Sequence, residues 1–257
     1  MAEMRIGAQL FTLRDHCKTL EDFTETMNKL KAIGYTTVQF SALGPIEAED
    51  LAKVLDDTGL SCVATHVGWQ SLIDETDEQI RRHRLWGCKH AAIGGLPGEY
   101  FTPEGLDRFV NELPPVVEKL NAAGIDFSYH NHNHELAKLP NGKTWLGELY
   151  ARTSPEHLKA EIDTYWITAG GGSPAAWINS LAGRMPLLHV KDMCVTPDRE
   201  QRMAEIGQGN LDWPGIIEAA GNAGVEEVLV EQDQTYGRDP FESMEISYKF
   251  LSGMGLK

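Results

Sequence analysis

Basic residues are scarce in this sequence. Lys and Arg number 23 against 38 Asp and Glu, a formal charge of −15, and such a balance repels phosphate backbones and anionic lipid headgroups. Nucleic acid and membrane surfaces are therefore poor partners. No apolar run reaches the roughly 18 residues of a membrane helix, and Met1-Ala2-Glu3-Met4-Arg5-Ile6 lacks the basic-then-apolar order of a secretory signal. Cysteine is sparse as well. Cys17, Cys62, Cys88 and Cys194 show no CxxC spacing, which favours reduced thiols over a disulfide framework or a structural zinc site. No GxGxxG follows the first apolar run, which continues instead as Leu10-Phe11-Thr12-Leu13, so a doubly wound dinucleotide-binding sheet is disfavoured. No linker or low-complexity stretch divides the chain. The expectation is one cytoplasmic domain spanning residues 1–257.

What is present is a regular alternation. Short apolar runs at Arg5 to Leu10, Thr37 to Ser41, Ser61 to Val67, Lys89 to Ile93, Asp126 to His130, Ala160 to Thr164, Leu187 to Lys191 and Val228 to Glu231 read as eight strands. Helical signals fill the gaps. Thr19 opens Leu20 to Ile33 with Gly34 after it, Pro45 precedes Ile46 to Asp57, and Thr102-Pro103-Glu104 starts a long stretch that Pro114-Pro115 should break or kink. Ser154-Pro155-Glu156, Ser173-Pro174, Asp212-Trp213-Pro214 and Asp239-Pro240 mark further starts. Ala169-Gly170-Gly171-Gly172-Ser173 reads as a strand-to-helix turn. At roughly 32 residues per unit, eight alternations predict a (β/α)8 TIM barrel, of the α/β class.

In such a barrel the site lies at the C-terminal strand ends. The polar residues there are His66, the run His130-Asn131-His132-Asn133-His134-Glu135, Asp163, His189-Val190-Lys191-Asp192 and Glu231-Gln232-Asp233. Strand alternation sorts their faces. Ile125, Phe127 and Tyr129 turn to the helices, leaving Ser128, His130 and His132 inside; by the same rule Asp163, His189, Lys191 and Glu231 point inward. Four consecutive strands thus aim His, Asp, His and Glu at one region, a donor set suited to one divalent ion: Mn, Co, Mg, Fe or Zn. Such an ion offsets carboxylate repulsion and polarises a substrate oxygen. Gln39 and His66 also end strands facing inward.

The chain resembles the sugar phosphate isomerase/epimerase superfamily of xylose isomerase-like TIM barrels. The resemblance is carried by Ile6-Gly7-Ala8-Gln9-Leu10, Tyr129-His130-Asn131-His132, Asp163-Thr164-Tyr165-Trp166, Leu188-His189-Val190-Lys191-Asp192, Gly207-Gln208-Gly209-Asn210-Leu211-Asp212-Trp213 and Val230-Glu231-Gln232-Asp233. It implies metal ligands at Asp163, His189 and Glu231. The fifth-strand ligand departs from the family's glutamate, so His130 or Glu135 takes its place. Trp166 stands three residues after the sixth-strand Asp, where epimerases of this group often carry a His. That pattern is similar to the branch of inosose dehydratase-like and keto-glycoside-cleaving proteins.

The shared chemistry implied is removal of a proton next to a carbonyl, with the resulting enediolate held by the metal. Glu231 would ligate and move the proton. Lys191 would donate to an oxyanion, or form a structural ion pair with Glu161 or another barrel carboxylate. His132 is a substrate-contact candidate, as are His66 and Gln39 for hydroxyls. Trp166 and Trp69 either wall a sugar pocket or pack as core aromatics. The expected partner is a small carbohydrate, with a homo-oligomer contact possible through Trp69 and Tyr236. Ile206-Gly207-Gln208-Gly209 offers either backbone donors to a phosphate or a plain turn. Among the other histidines, His83 in Arg81-Arg82-His83-Arg84 reads as part of a solvated face. Elimination on a keto-sugar, a related nuclease disfavoured by the charge, and a sugar-binding barrel without turnover are the competing functions.

Overall fold

The computed structural model describes residues 4–257. Eight parallel strands close a barrel: β1 (Arg5–Gln9), β2 (Thr37–Phe40), β3 (Ser61–His66), β4 (His90–Ile93), β5 (Asp126–His130), β6 (Lys159–Asp163), β7 (Leu187–Val190) and β10 (Glu227–Val230), with β10 pairing back onto β1. The intervening β8 (Asp192–Val195) and β9 (Gln201–Ala204) form an antiparallel hairpin above the barrel. All eight expected strands are present within a residue or two at each end; the hairpin was not anticipated from sequence. Among the described residues no helix is long and apolar enough to cross a membrane.

Strand alternation divides the core. Ile6, Val38, Phe127, Tyr129, Ile162, Leu188 and Val228 join the main apolar layer between sheet and helices, while Ala64, Leu187 and Leu229 form a small separate cluster. Beyond it the inward positions turn polar: toward the N-terminal end Glu227 pairs with Arg5 and accepts from Thr37 Oγ1 at 3.0 Å. Toward the C-terminal end lie the site residues described below.

The helices follow their local signals with four instructive departures. Helix α1 (Leu20–Ile33) is capped by Thr19, whose hydroxyl accepts from Asp22 N, and Gly34 at φ 128° ends it. Helix α2 (Ala48–Thr58) begins two residues later than Pro45 indicated, with Glu47 as its N-cap. Helix α5 (Pro103–Ala122) runs unbroken through Pro114 and Pro115. One interior proline costs about 3 kcal/mol, but Leu106, Phe109, Leu113, Val116, Val117 and Leu120 are buried along one face, each at roughly 1.5–3 kcal/mol. Burial outweighs the breaks. Ser154-Pro155-Glu156 forms a turn leading into β6 rather than a helix. The glycine run joins two helices, α7 (Thr164–Ala169) and α8 (Pro174–Ser180), instead of a strand and a helix.

Candidate functional site

The pairing register lays the polar strand ends side by side: His130 opposes Glu161, Asp163 opposes His189, and His189 opposes Leu229, two residues before Glu231. His130, Asp163, His189 and Glu231 are all buried, and one ligand atom from each lies within 4.8 Å of the other three. Lys191 Nζ sits among the carboxylates, 3.2 Å from Asp163 Oδ2, 2.9 Å from Glu231 Oε2 and 2.9 Å from Asp233 Oδ1. His130, Lys191, Glu231 and Asp233 line a cavity of about 430 Å³ together with Gln9, Phe11, His66 and His132.

Each side chain is held by its neighbours. Asp163 caps α7, accepting from Trp166 N at 2.9 Å through Oδ1, while Oδ2 faces His130 Nε2 at 3.2 Å. His189 has acceptors at both nitrogens: Glu231 Oε2 at 2.8 Å from Nδ1 and Gln39 Oε1 at 2.7 Å from Nε2. Gln39 Nε2 in turn donates to Glu161 Oε1 at 2.8 Å. Glu161 Oε2 lies 2.7 Å from His66 Nε2. The residue after β4 is glycine for a local reason: a Cβ on Gly94 would lie 2.9 Å from His66 Nδ1.

The electrostatics follow from burial and these partners. Burial disfavours a charged His189, but Glu161 and Glu231 overcome it and raise the imidazole to about 10. Burial likewise opposes a charged Lys191, yet Asp163, Glu231 and Asp233 hold the ammonium well above its ordinary value. Glu231 is kept well below the carboxylate range by Lys191 and His189 against its burial, and Glu161 by His189 and His66. Asp163 is raised by burial, which Lys191 only partly offsets; burial also pushes Asp233 up to about 6. His130 is pushed well down by burial and the neighbouring imidazoles, and His132 to about 4 by burial and Lys191.

These residues fit a divalent cation. Four donors within 4.8 Å suit bonds of about 2.0–2.2 Å, and His130 Nδ1 is buried without a hydrogen-bond partner. A ligating imidazole is neutral, so a bound ion would replace the proton that Glu161 and Glu231 hold on His189, and it would offset two of the three charges by which the ionised carboxylates of Glu161, Asp163, Glu231 and Asp233 then exceed the Lys191 ammonium.

Of the residues singled out in sequence, His130, Asp163, His189, Glu231, Lys191, His132 and His66 come together. Trp166 stands beside them, its ring 5.2 Å from that of His132 and 5.6 Å from Lys191 Nζ. Three others do not. Glu135 turns away from the cluster, accepting from Tyr129 Oη at 2.9 Å and His132 N at 3.0 Å. It anchors the loop after β5 because Tyr129 faces the helices. Trp69 is buried against Phe109 and Phe127 with its indole N–H on Glu112, so it is neither a pocket wall nor an exposed contact. Gln39 is fully buried beneath the cavity, bonded to Glu161 and His189, and does not line it.

Further differences have equally local causes. His83 is buried, bonded to Thr65 Oγ1 and Gln79 O, rather than solvated. The amides of Gly207 and Gly209 donate to Asp192 Oδ2 at 2.9 and 3.0 Å, so they are not free for a phosphate. Lys191 pairs with Asp163, Glu231 and Asp233 and not with Glu161. Glu161, Asp233 and Gln9 stand out in the sequence without a role at the site being read from it, although the period of two places each in line with an inward neighbour: Asp163, Glu231 and Gly7.

The sequence profile described as xylose isomerase-like TIM barrel matches residues 27–251. The chain belongs to this family. Similar solved structures include a sugar phosphate isomerase/epimerase from Parabacteroides distasonis ATCC 8503, 25% identical, covering 98% of this chain and 94% of that one with a TM-score of 0.79. An L-ribulose 3-epimerase is 18% identical over 100% of this chain and 95% of its own, TM-score 0.76. A D-psicose 3-epimerase from Clostridium cellulolyticum H10, solved with D-tagatose, is 15% identical over 99% and 100%, TM-score 0.75. No curated protein sequence matches the chain. These comparisons carry the xylose isomerase-like family and a fold consistent with an enzyme; they do not single out the inosose dehydratase-like branch.

Proposed function

We propose that the protein is a metal-dependent sugar or keto-sugar isomerase or epimerase that abstracts a proton next to a carbonyl. The observation that carries this reading is the convergence of His130, Asp163, His189 and Glu231 around Lys191 beneath a cavity wide enough for a monosaccharide. A divalent ion held by those four residues would supply Lewis-acid polarisation of a substrate carbonyl or hydroxyl. Glu231, kept ionised by Lys191 and His189, takes the proton from the carbon and returns it to the carbon chain. Lys191 donates to the substrate oxygen on which negative charge develops. Gln39 and Glu161 hold His189 from below, while His132 and His66 face the cavity and meet hydroxyls. Trp166 covers Lys191 and helps to keep water from it.

A second reading, elimination of water or an alkoxide from a keto-sugar, is favoured by two features. Trp166 occupies the position three after Asp163, and Asp233, raised to about 6 beside Lys191, is suited to protonating a leaving oxygen. All four cysteines are free, the state a reducing cytoplasm maintains.

The test is solvent deuterium uptake. Manganese-loaded protein in D2O is incubated with D-fructose, D-psicose and D-tagatose, and carbon-bound deuterium is read by NMR. Uptake into at least one sugar is expected, with Glu231→Gln slower by about 100-fold or more. Uptake unaffected by Glu231→Gln, or absent from every sugar with the wild type, would contradict the proton-transfer mechanism.

A further inference from the structure

Around the floor of the cavity runs a chain of hydrogen bonds whose two ends fix the direction of every link. A backbone amide only donates and an ionised carboxylate only accepts, so the amides and imidazoles between them take their orientation from these groups. At one end Phe11 N donates to Gln9 Oε1. The Gln9 amide nitrogen is thereby turned toward His66 Nδ1, 3.4 Å away, and that ring nitrogen must be the acceptor. From the other side Glu161, which His189 and His66 keep ionised, accepts from His66 Nε2 at 2.7 Å. Both neighbours assign one tautomer to His66, with a proton on Nε2 and a lone pair on Nδ1. Glu161 orders His189 as well. Its Oε1 accepts from Gln39 Nε2, so Gln39 Oε1 faces His189 Nε2 at 2.7 Å and that nitrogen carries a hydrogen. His189 Nδ1 is left to ligate an ion.

The Nδ1 edge of His66 is kept clear. A Cβ on Gly94 would stand 2.9 Å from that nitrogen, and the φ of Gly94 is not in the left-handed region, so glycine is there for space and not for its backbone. Gln9, His66 and Gly94 all line the cavity. At 3.4 Å the contact between Gln9 Nε2 and His66 Nδ1 is longer than the usual range of about 2.7–3.2 Å, a weak bond that a ligand can replace. The pair presents an N–H donor beside a nitrogen acceptor. A hydroxyl satisfies both, accepting from Gln9 and donating to His66, whereas a carbonyl or ether oxygen has no proton for Nδ1 and an ammonium has no lone pair for Gln9.

We infer that Gln9 and His66 form a subsite that selects a free hydroxyl on the substrate, and that Glu161 is the positioning residue that sets the acceptor side of His66. This inference rests on the sugar-site reading above and deepens it. The reacting oxygens belong to the ion and Lys191, so the hydroxyl read by Gln9 and His66 is a further one. A carboxylate is needed at position 161 because it accepts from two side chains at once, Gln39 through Oε1 and His66 through Oε2. Glutamine has one acceptor oxygen. In Glu161→Gln an amide N–H must face either His66 or Gln39. In the first case the His66 proton moves to Nδ1; in the second Gln39 turns over and its amide nitrogen strips the proton from His189 Nε2.

Long-range proton–nitrogen NMR of histidine-labelled, zinc-loaded protein at pH 8 reads the tautomers before any sugar is added, with His66 assigned by the loss of its signals in His66→Asn. The wild type should carry the His66 proton on Nε2 alone, and Glu161→Gln should reverse His66 or His189. A His66 proton on Nδ1, on both nitrogens or on neither, or two rings unmoved by Glu161→Gln, overturns the inference. A His66 with no proton and two zinc ions per chain would instead mean a cation held by His66, Glu161 and His189. Calorimetry with D-fructose, D-psicose, D-tagatose and their monodeoxy forms then reads the hydroxyl. For a ketose that binds, one monodeoxy form should bind the wild type about tenfold or more weakly than its parent. Gln9→Leu and, independently, Gln9→Met should weaken the parent by a similar factor and leave that deoxy form unchanged. A wild type indifferent to every deoxygenation, or Gln9 variants that weaken the parent and all deoxy forms alike, overturns the subsite and leaves the sugar site standing. The expected tautomers with no ketose bound would overturn the sugar-site reading, and the subsite with it.

Discussion

Lys191 is the sharpest place to perturb the site. It is 1% exposed and lies within 3.2 Å of three carboxylates, so Lys191→Met keeps most of the volume while removing the ammonium. Breaking a buried ion pair in this way costs about 3–5 kcal/mol. At roughly 2–4 °C per kcal/mol for a domain of this size, the melting temperature should fall by about 6–20 °C. The loss should also depend on pH. Lys191 itself has a raised folded pKa, so its contribution is constant below the unfolded lysine value near 10.4 and disappears only above it. The carboxylates set the slope between pH 5 and 8. Asp163 and Asp233 are already raised in the folded protein and rise further without the ammonium. The unfolded chain is deprotonated above its ordinary carboxylate pKa, so the variant's folded state binds the extra protons and loses stability as pH increases. Urea unfolding in EDTA at pH 5.5 and 8.0 checks this. A loss below about 1 kcal/mol, or one equal at the two pH values, would show that the carboxylates do not depend on Lys191.

Three other expectations are independent of the chemistry. Trp69→Ala should destabilise the fold by about 3–5 kcal/mol while leaving sugar affinity within twofold, as comparison of melting curves and calorimetry will show; a selective loss of affinity would restore it to the pocket. Asp192→Ala removes an acceptor shared by the amides of Gly207, Gly209 and Leu211 and the Trp213 indole. It should cost about 3 kcal/mol or more and raise amide exchange across β8, β9 and the Gly207–Leu211 loop; unchanged exchange there would contradict the anchoring role. Burial pushes the Cys17 thiol up to about 12, and Cys62 and Cys88 are buried too. Iodoacetamide at pH 8 followed by mass spectrometry should therefore label Cys194 first, and faster labelling of Cys17 would count against its placement.

The barrel was legible because its signals are local and repeated. Each strand is a short apolar run, and the helices that open at Leu20, Pro103, Pro174, Trp213 and Pro240 each have the cap or proline that chain geometry needs. The hairpin after β7 was not, because Met193, Cys194 and Met203 alternate too weakly to read as strands; its cause is Asp192, whose single carboxylate gathers four distant donors. Period-two alternation located His130, Asp163, His189 and Glu231, and it would also have given Glu161 and Asp233 had it been carried two residues in each direction. Glu135 and Trp69 lie beyond strand ends, where alternation stops and loop packing decides direction. Tyr129 claims the one and Phe109 the other. Gln39 points inward as expected but lies a layer too deep to meet a ligand.

The central claim is that strand-end side chains form one divalent metal site. Elemental analysis after identical manganese loading and desalting, on wild type, Asp163→Ala plus Glu231→Ala, and Glu135→Gln, tests it most directly. The account predicts about one ion per chain in the wild type and in Glu135→Gln, and loss of that ion in the double variant. A wild type that stays folded and holds no metal under any loading condition, or a double variant that holds as much as the wild type, would contradict it.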